Sequence, residues 1–148
     1  MNVGTVFRWK EFPSPRDGDV KPRWFIYLGD AGHFSQVLLA YICTTTTQIH
    51  HFQAKGDRSS HDYFFFKKSP NSPFDEDCIL DFDEPPHTPR KSILENNPNI
   101  EEKGKLDEQT LRMIYARLCK SSAYSKVILR DIHDSFNKAE ITGLKRPK

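Results

Sequence analysis

The segment Trp24–Leu28, WFIYL, constrains the fold of this chain more than any other stretch. It leaves no polar side for solvent, so it predicts a central strand buried on both faces. Such a strand needs apolar cover on each side, which the remaining segments must supply. Val3–Phe12, rich in β-branched and aromatic residues, reads as a first strand. Pro13-Ser14-Pro15-Arg16-Asp17-Gly18-Asp19 reads as the loop after it, because Pro and Asp-Gly punctuate structure. Gly29-Asp30-Ala31-Gly32 reads as a turn, and Val37–Thr47 (VLLAYICTTTT) as a β-branched strand whose first half has to be buried. Tyr63–Phe66 and Cys78–Phe82 are shorter strands; Pro85-Pro86-His87-Thr88-Pro89 is an extended linker, and Asn96-Asn97-Pro98-Asn99 a turn.

The periodicity then changes. Asp107 is suited to cap a helix start, and Leu106 and Leu111 to staple it. Leu111, Ile114, Tyr115 and Leu118 fall at i, i+3, i+4 and i+7 and share one helical face. Ser121 and Ser122 interrupt. Tyr124, Val127, Ile128, Ile132 and Phe136 form a second stripe whose apolar side needs a partner surface, either the strands or another subunit. Gly143 and Lys145–Lys148 read as a frayed tail.

Strands followed by helices give an α+β class. The short strand spacing favours a small barrel or strongly bent sheet over about residues 3–94, closed by two C-terminal amphipathic helices over about 106–138. At 148 residues the chain fits one domain. Its 36% hydrophobic content is modest, but eleven Phe, five Tyr and two Trp make an aromatic core feasible.

Charge is uneven along the chain: +3 over residues 1–70, −6 over 71–107 and +5 over 108–148. Two mildly basic segments thus flank an acidic one. Cys43, Cys78 and Cys119 are odd in number and widely spaced, which argues against a disulfide scaffold or a cysteine zinc site. Met1–Lys10 lacks the apolar run of a signal peptide, and no stretch approaches the roughly 18–20 apolar residues of a membrane span. A soluble protein in a reducing cytoplasm, with no membrane partner, is the expectation. No GxGxxG, Walker A, HExxH or GxSxG motif is present, so nucleotide hydrolysis, zinc proteolysis and serine-esterase chemistry have no support.

Four stretches together resemble the PemK/MazF-like toxin family of toxin–antitoxin systems. They are Gly4-Thr5-Val6 opening a strand that ends in Phe12-Pro13; Lys21-Pro22-Arg23 leading into WFIYL; Val37–Ile42 running into a threonine cluster; and an acidic segment followed by Pro89-Arg90-Lys91-Ser92-Ile93-Leu94 and the leucine-led helix Leu106–Leu118. The resemblance implies an SH3-like barrel with helical additions, a homodimer, and inhibition by a small antitoxin protein. It also implies endoribonuclease activity on single-stranded RNA with no metal and no cofactor.

Cutting RNA without a metal requires deprotonation of the 2′-OH, stabilisation of a phosphorane-like transition state and protonation of the leaving 5′ oxygen. By resemblance, Arg23 and either Thr45 or Thr46 are the catalytic positions: Arg23 to grip the scissile phosphate bidentately, a threonine hydroxyl to donate to a non-bridging oxygen. A guanidinium, with a pKa above about 12, is ill suited to moving protons. Lys10, Lys21, Trp24, Lys67 and Lys68, in a strip with Arg8 and Trp9, are the candidate RNA-binding set, combining phosphate contact with stacking.

Histidines offer a second route, although His50 and His51 point to opposite faces if extended, and exposed loop histidines are commonplace. A zinc site from His50, His51, His61 and Asp62 lacks any recognised ligand spacing. Asp75, Glu76, Asp77, Asp81, Asp83 and Glu84 read first as a solvated charged loop. The alternative function is a non-catalytic nucleic-acid- or protein-binding module on the same barrel; a structural domain docking through its helix pair is a third.

Overall fold

Both faces of the WFIYL run are covered, as its composition demands. In the computed structural model, which describes residues 1–13, 18, 20–31 and 38–148, six strands form one antiparallel sheet. They are β1 (Thr5–Pro13), β2 (Val20–Asp30), β3 (Ala40–Thr46), β4 (Tyr63–Phe66), β5 (Cys78–Asp81) and β6 (Ile100–Lys105), in the order β4-β5-β3-β2-β1-β6. Helices α1 (Lys91–Leu94), α2 (Glu108–Leu118) and α3 (Lys126–Lys138) complete the chain, with a 3₁₀ turn at Ile49–Phe52. The class is α+β, and the sheet curls into a half-barrel. Its edges are β4 and β6.

Side chains alternate along β2. Ile26 and Leu28 face one apolar cluster with α2 and α3, while Phe25 and Tyr27 face a second, built on Phe7, Trp9, Phe12 and Ile42. Helix α2 begins where expected: the Asp107 carboxylate accepts the Thr110 N–H at 2.6 Å, and Leu111, Ile114, Tyr115 and Leu118 are buried. The partner surface of α3 is the sheet itself. Ser135 Oγ accepts the Asp30 N–H at 3.2 Å, and the Tyr41 hydroxyl donates to Asp131 at 2.6 Å.

Several expectations are corrected. The turn read at Gly29-Asp30 is strand: Gly29 and Asp30 end β2, and Gly29 has no Cβ because Ser135 of α3 presses on that spot. Gly32, Val37, residues 14–17 and residue 19 lie outside the described residues. Leu38 is exposed, so the third strand is buried from Ala40 onward. The segment read as a linker is a strap laid along β3. His87 N–H donates to Ile42 O at 2.9 Å, Ile42 N–H to His87 O at 3.1 Å, and Ala40 N–H to Pro89 O at 2.8 Å.

The apolar face of α3 is phased on Leu129, Ile132, His133 and Phe136, leaving Val127 64% exposed; Ser125 caps the helix and buried Tyr124 precedes it. The tail is docked rather than frayed. Lys145 O accepts the Tyr115 hydroxyl at 2.6 Å, and the Arg146 guanidinium pairs with Asp134 at 3.0 Å. Strand β6 and helix α1 were not expected at all. No helix among the described residues is long and apolar enough to cross a membrane.

Candidate functional site

The start of β2 and the end of β3 lie side by side in the sheet, Trp24 opposite Thr45. An open cleft of about 900 Å³ forms there, between these strand ends and the loops on either side of β4 and β5. Among the residues proposed from sequence, Lys21, Arg23, Trp24, Thr45 and Thr46 all border it. Lys10, Lys67 and Lys68 do not: Lys10 is on β1, paired with Glu101 at 3.2 Å, and the Lys68 N–H donates to Asp77 at 2.6 Å beyond β4.

Strand register separates the two threonines. Arg23 has the parity of Phe25 and Tyr27 and stands 6.0 Å from the Phe12 ring, on the aromatic face. One step beyond the Trp24–Thr45 pair, the residue opposite Arg23 is Thr46. Thr46 Oγ1 accepts the Gln48 N–H at 3.1 Å, which leaves its hydroxyl hydrogen to donate outward. Thr45 pairs with Trp24 and Leu80 and so lies on the helix-covered face, near buried Cys78, whose thiol pKa burial pushes up to about 12. Thr44 donates to the Trp24 carbonyl at 3.3 Å. By this parity Thr44 and Thr46 share the face of Arg23, and Thr46 is the less buried of the two.

The walls of the cleft differ in charge. Arg8, Lys21 and Arg23 come from β1 and β2, with Arg8 also 3.4 Å from Glu101. Asp75 and Glu76 stand in the loop before β5. Trp24 serves as wall more than as platform: Phe74 packs on it at 6.0 Å between centroids, and the Lys103 ammonium sits 5.7 Å from its ring. Arg58 borders the cleft, but its guanidinium is anchored 3.3 Å from Asp81 and 3.6 Å from Glu84.

That anchor corrects the view of the acidic segment as a solvated loop in its second half only, for Asp75, Glu76 and Asp77 are exposed. Asp81 is 3% exposed, and its carboxylate accepts from His61 Nδ1 at 2.9 Å, from Arg58 and from the Asp83 N–H at 2.9 Å. Asp83 in turn accepts the Asp62 N–H at 2.8 Å and the Ser121 hydroxyl at 3.0 Å, and Asp62 holds Arg117 of α2 at 2.8 Å. Buried charge is tolerated because each carboxylate oxygen has donors. This network fixes the loop that bears Arg58 against α2. Among the described residues, no group of three or more His, Cys, Asp or Glu is arranged to hold a metal ion.

His50 and His51 are not extended. They lie on the 3₁₀ turn with their rings 4.2 Å apart, and His51 borders the cleft. Gln48 and Arg58 were missed from sequence. Gln48 is signalled only by the threonine two residues before it, a pattern that favours a side-chain-stabilised turn; nothing local marks Arg58.

Fold and site together define an α+β protein with a polar cleft, basic on one wall, where two central strands end. Comparison with family models, with curated proteins and with solved structures finds no match.

Proposed function

We propose that this cleft binds single-stranded RNA and cleaves it as a metal-independent endoribonuclease of the PemK/MazF-like kind. The observation that carries the reading is the placement of Arg23 and Thr46 on one sheet face at the mouth of one cleft, from strands adjacent in register. The 2′ oxygen attacks the adjacent phosphorus and the 5′ oxygen leaves. Negative charge builds on the non-bridging oxygens between these events. Arg23 donates to them through its fork of N–H groups and Thr46 through its hydroxyl, so both act most strongly where the charge develops. Lys21 and Arg8 extend the positive wall along the RNA backbone. The carboxylates of Asp75 and Glu76 repel phosphate from the other wall and accept from base amino groups.

In this reading the half-barrel is an SH3-like barrel variant, the active form is a homodimer, and a small antitoxin protein inhibits it. The test is incubation with mixed-sequence single-stranded RNA in EDTA. Discrete products ending in a 2′,3′-cyclic phosphate are expected, with no cutting of RNA 2′-O-methylated at the cleaved position. Arg23→Ala should lower cleavage by about 10²–10³-fold with unchanged circular dichroism. RNA bound tightly and left intact would establish a binding module instead; RNA neither bound nor cut would overturn both readings.

A further inference from the structure

Arg23 and Thr46 hold a phosphate, but neither is suited to remove a proton: guanidinium groups stay protonated at neutral pH, and a hydroxyl is a poor base. The geometry points to His51 as the general base that takes the 2′-OH proton, an inference that rests on the RNA-cleavage reading of the same cleft.

His51 borders the cleft shared by Arg23 and Thr46, with its side chain 31% exposed. Its backbone is tightly held. The Arg58 N–H donates to His51 O at 2.7 Å, and Phe52 is buried next to it. Gly56 packs so closely on the carbonyls of His50 and His51 that a Cβ there would collide with backbone.

The ring is held as well. Its Nε2 lies 2.9 Å from Gln48 Oε1. With the amide turned so that Oε1 faces the ring, Nε2 carries the hydrogen and Nδ1 keeps the lone pair. Nδ1 lies 3.8 Å from the exposed Asp57 carboxylate. The backbone of Gln48 is in turn tied to Thr46 Oγ1, so the phosphate-binding hydroxyl and the base are linked through one turn. His61 has its Nδ1 on buried Asp81 and does not border the cleft; His87 borders it, but its ring packs edge-on against Phe12 and Phe25 and its Nε2 is buried.

The step balances with water. The 2′-OH proton moves to Nδ1 as the O2′–P bond forms and the P–O5′ bond breaks. Water protonates O5′, and the hydroxide so formed takes the proton back from the imidazolium. Asp57 and the tilted ring of His50 stand beside the His51 ring, and the Arg58 N–H reaches the His51 carbonyl.

The experiment is single-turnover cleavage of RNA in EDTA across pH, for wild type and His51→Gln. Wild type should show an acid limb in its rate, lost as the base becomes protonated. His51→Gln should lower the rate about 10²–10⁴-fold and abolish that limb, while binding a fully 2′-O-methylated RNA as tightly as wild type. A His51→Gln protein that cuts at the wild-type rate with the wild-type pH profile would overturn the role of His51 and leave the cleavage reading standing. A wild type that cuts no RNA at any pH would overturn both.

Discussion

The two faces of the sheet are built differently. One is mainly aliphatic and closed: Val6, Ile26, Leu28 and Leu80 meet Leu111, Ile114, Leu118, Leu129, Ile132 and Phe136 from the two long helices. The other is mainly aromatic and, among the described residues, has no long helix over it. Phe7, Trp9, Phe12 and Phe25 pack edge to face or stacked, with Tyr27, Leu94 of α1 and the ring of His87 in the same cluster or beside it. This second face runs out at the strand ends into the cleft where Arg23 and Thr46 stand. The contrast teaches a division of labour: the helix-covered face carries most of the stability, and the aromatic face positions the polar groups.

The division can be broken in a graded series. The largest loss of stability is expected for Phe136→Ala, which opens a cavity between α3 and the sheet at a fully buried side chain. About 3–5 kcal/mol should be lost in urea unfolding; a loss below 1 kcal/mol would mean that α3 docks loosely. Gly29→Ala comes next. Gly29 has φ +143 and its missing Cβ is where Ser135 sits, so the substitution adds backbone strain and a clash at the α3 contact. A cost on the order of 1–3 kcal/mol is expected, and Gly29→Ala combined with Ser135→Gly should recover part of it.

Smaller again is Asp107→Ala, which removes the cap of α2 and should cost about 1 kcal/mol near neutral pH. The Thr110 N–H, helped by its hydroxyl, lowers the Asp107 pKa in the folded state. A depressed folded pKa stabilises above the unfolded value and is lost as pH falls through the folded one. The gap between wild type and Asp107→Ala should therefore close below about pH 4. A gap constant from neutral pH to pH 2 would rule out the charged cap.

Much of the helix-covered face was legible in the sequence, because burial there is periodic. WFIYL reads as two-sided, and Leu111, Ile114, Tyr115 and Leu118 mark a face at helical spacing. The misreadings share a cause: each depends on what a segment meets rather than on its own pattern. Strand β6, IEEKGK, is an edge strand whose charges suit solvent on one side, so it carries no apolar alternation. Gly29 looks like a turn residue until α3 crosses it. Val127 fits a helical stripe by spacing alone, but α3 settles on Leu129 and His133 because these meet the core and the docked tail.

The cleft was half legible. Arg23 and the threonine run could be nominated, yet choosing among the threonines needed strand register. The roles of Arg58 and the buried Asp81 depend on contacts 23 residues apart in sequence, which no local pattern announces. The strip of basic residues divided in the same way: Lys21 and Lys10 look equivalent in sequence, but β1 carries Lys10 to the β6 edge and away from the cleft.

In the proposed reading, the aromatic face presents Arg23 and Thr46 together to an RNA phosphate while the helix-covered face holds the fold together. The most direct test compares Thr46→Ala with Thr45→Ala for RNA cleavage in EDTA and for thermal melting. Thr46→Ala should lose about 10²-fold or more in cleavage with a melting temperature near wild type. Thr45→Ala should keep its cleavage, because its side chain turns to the helix-covered face with Leu80. The reverse pattern, with cleavage lost in Thr45→Ala and kept in Thr46→Ala, would contradict the account.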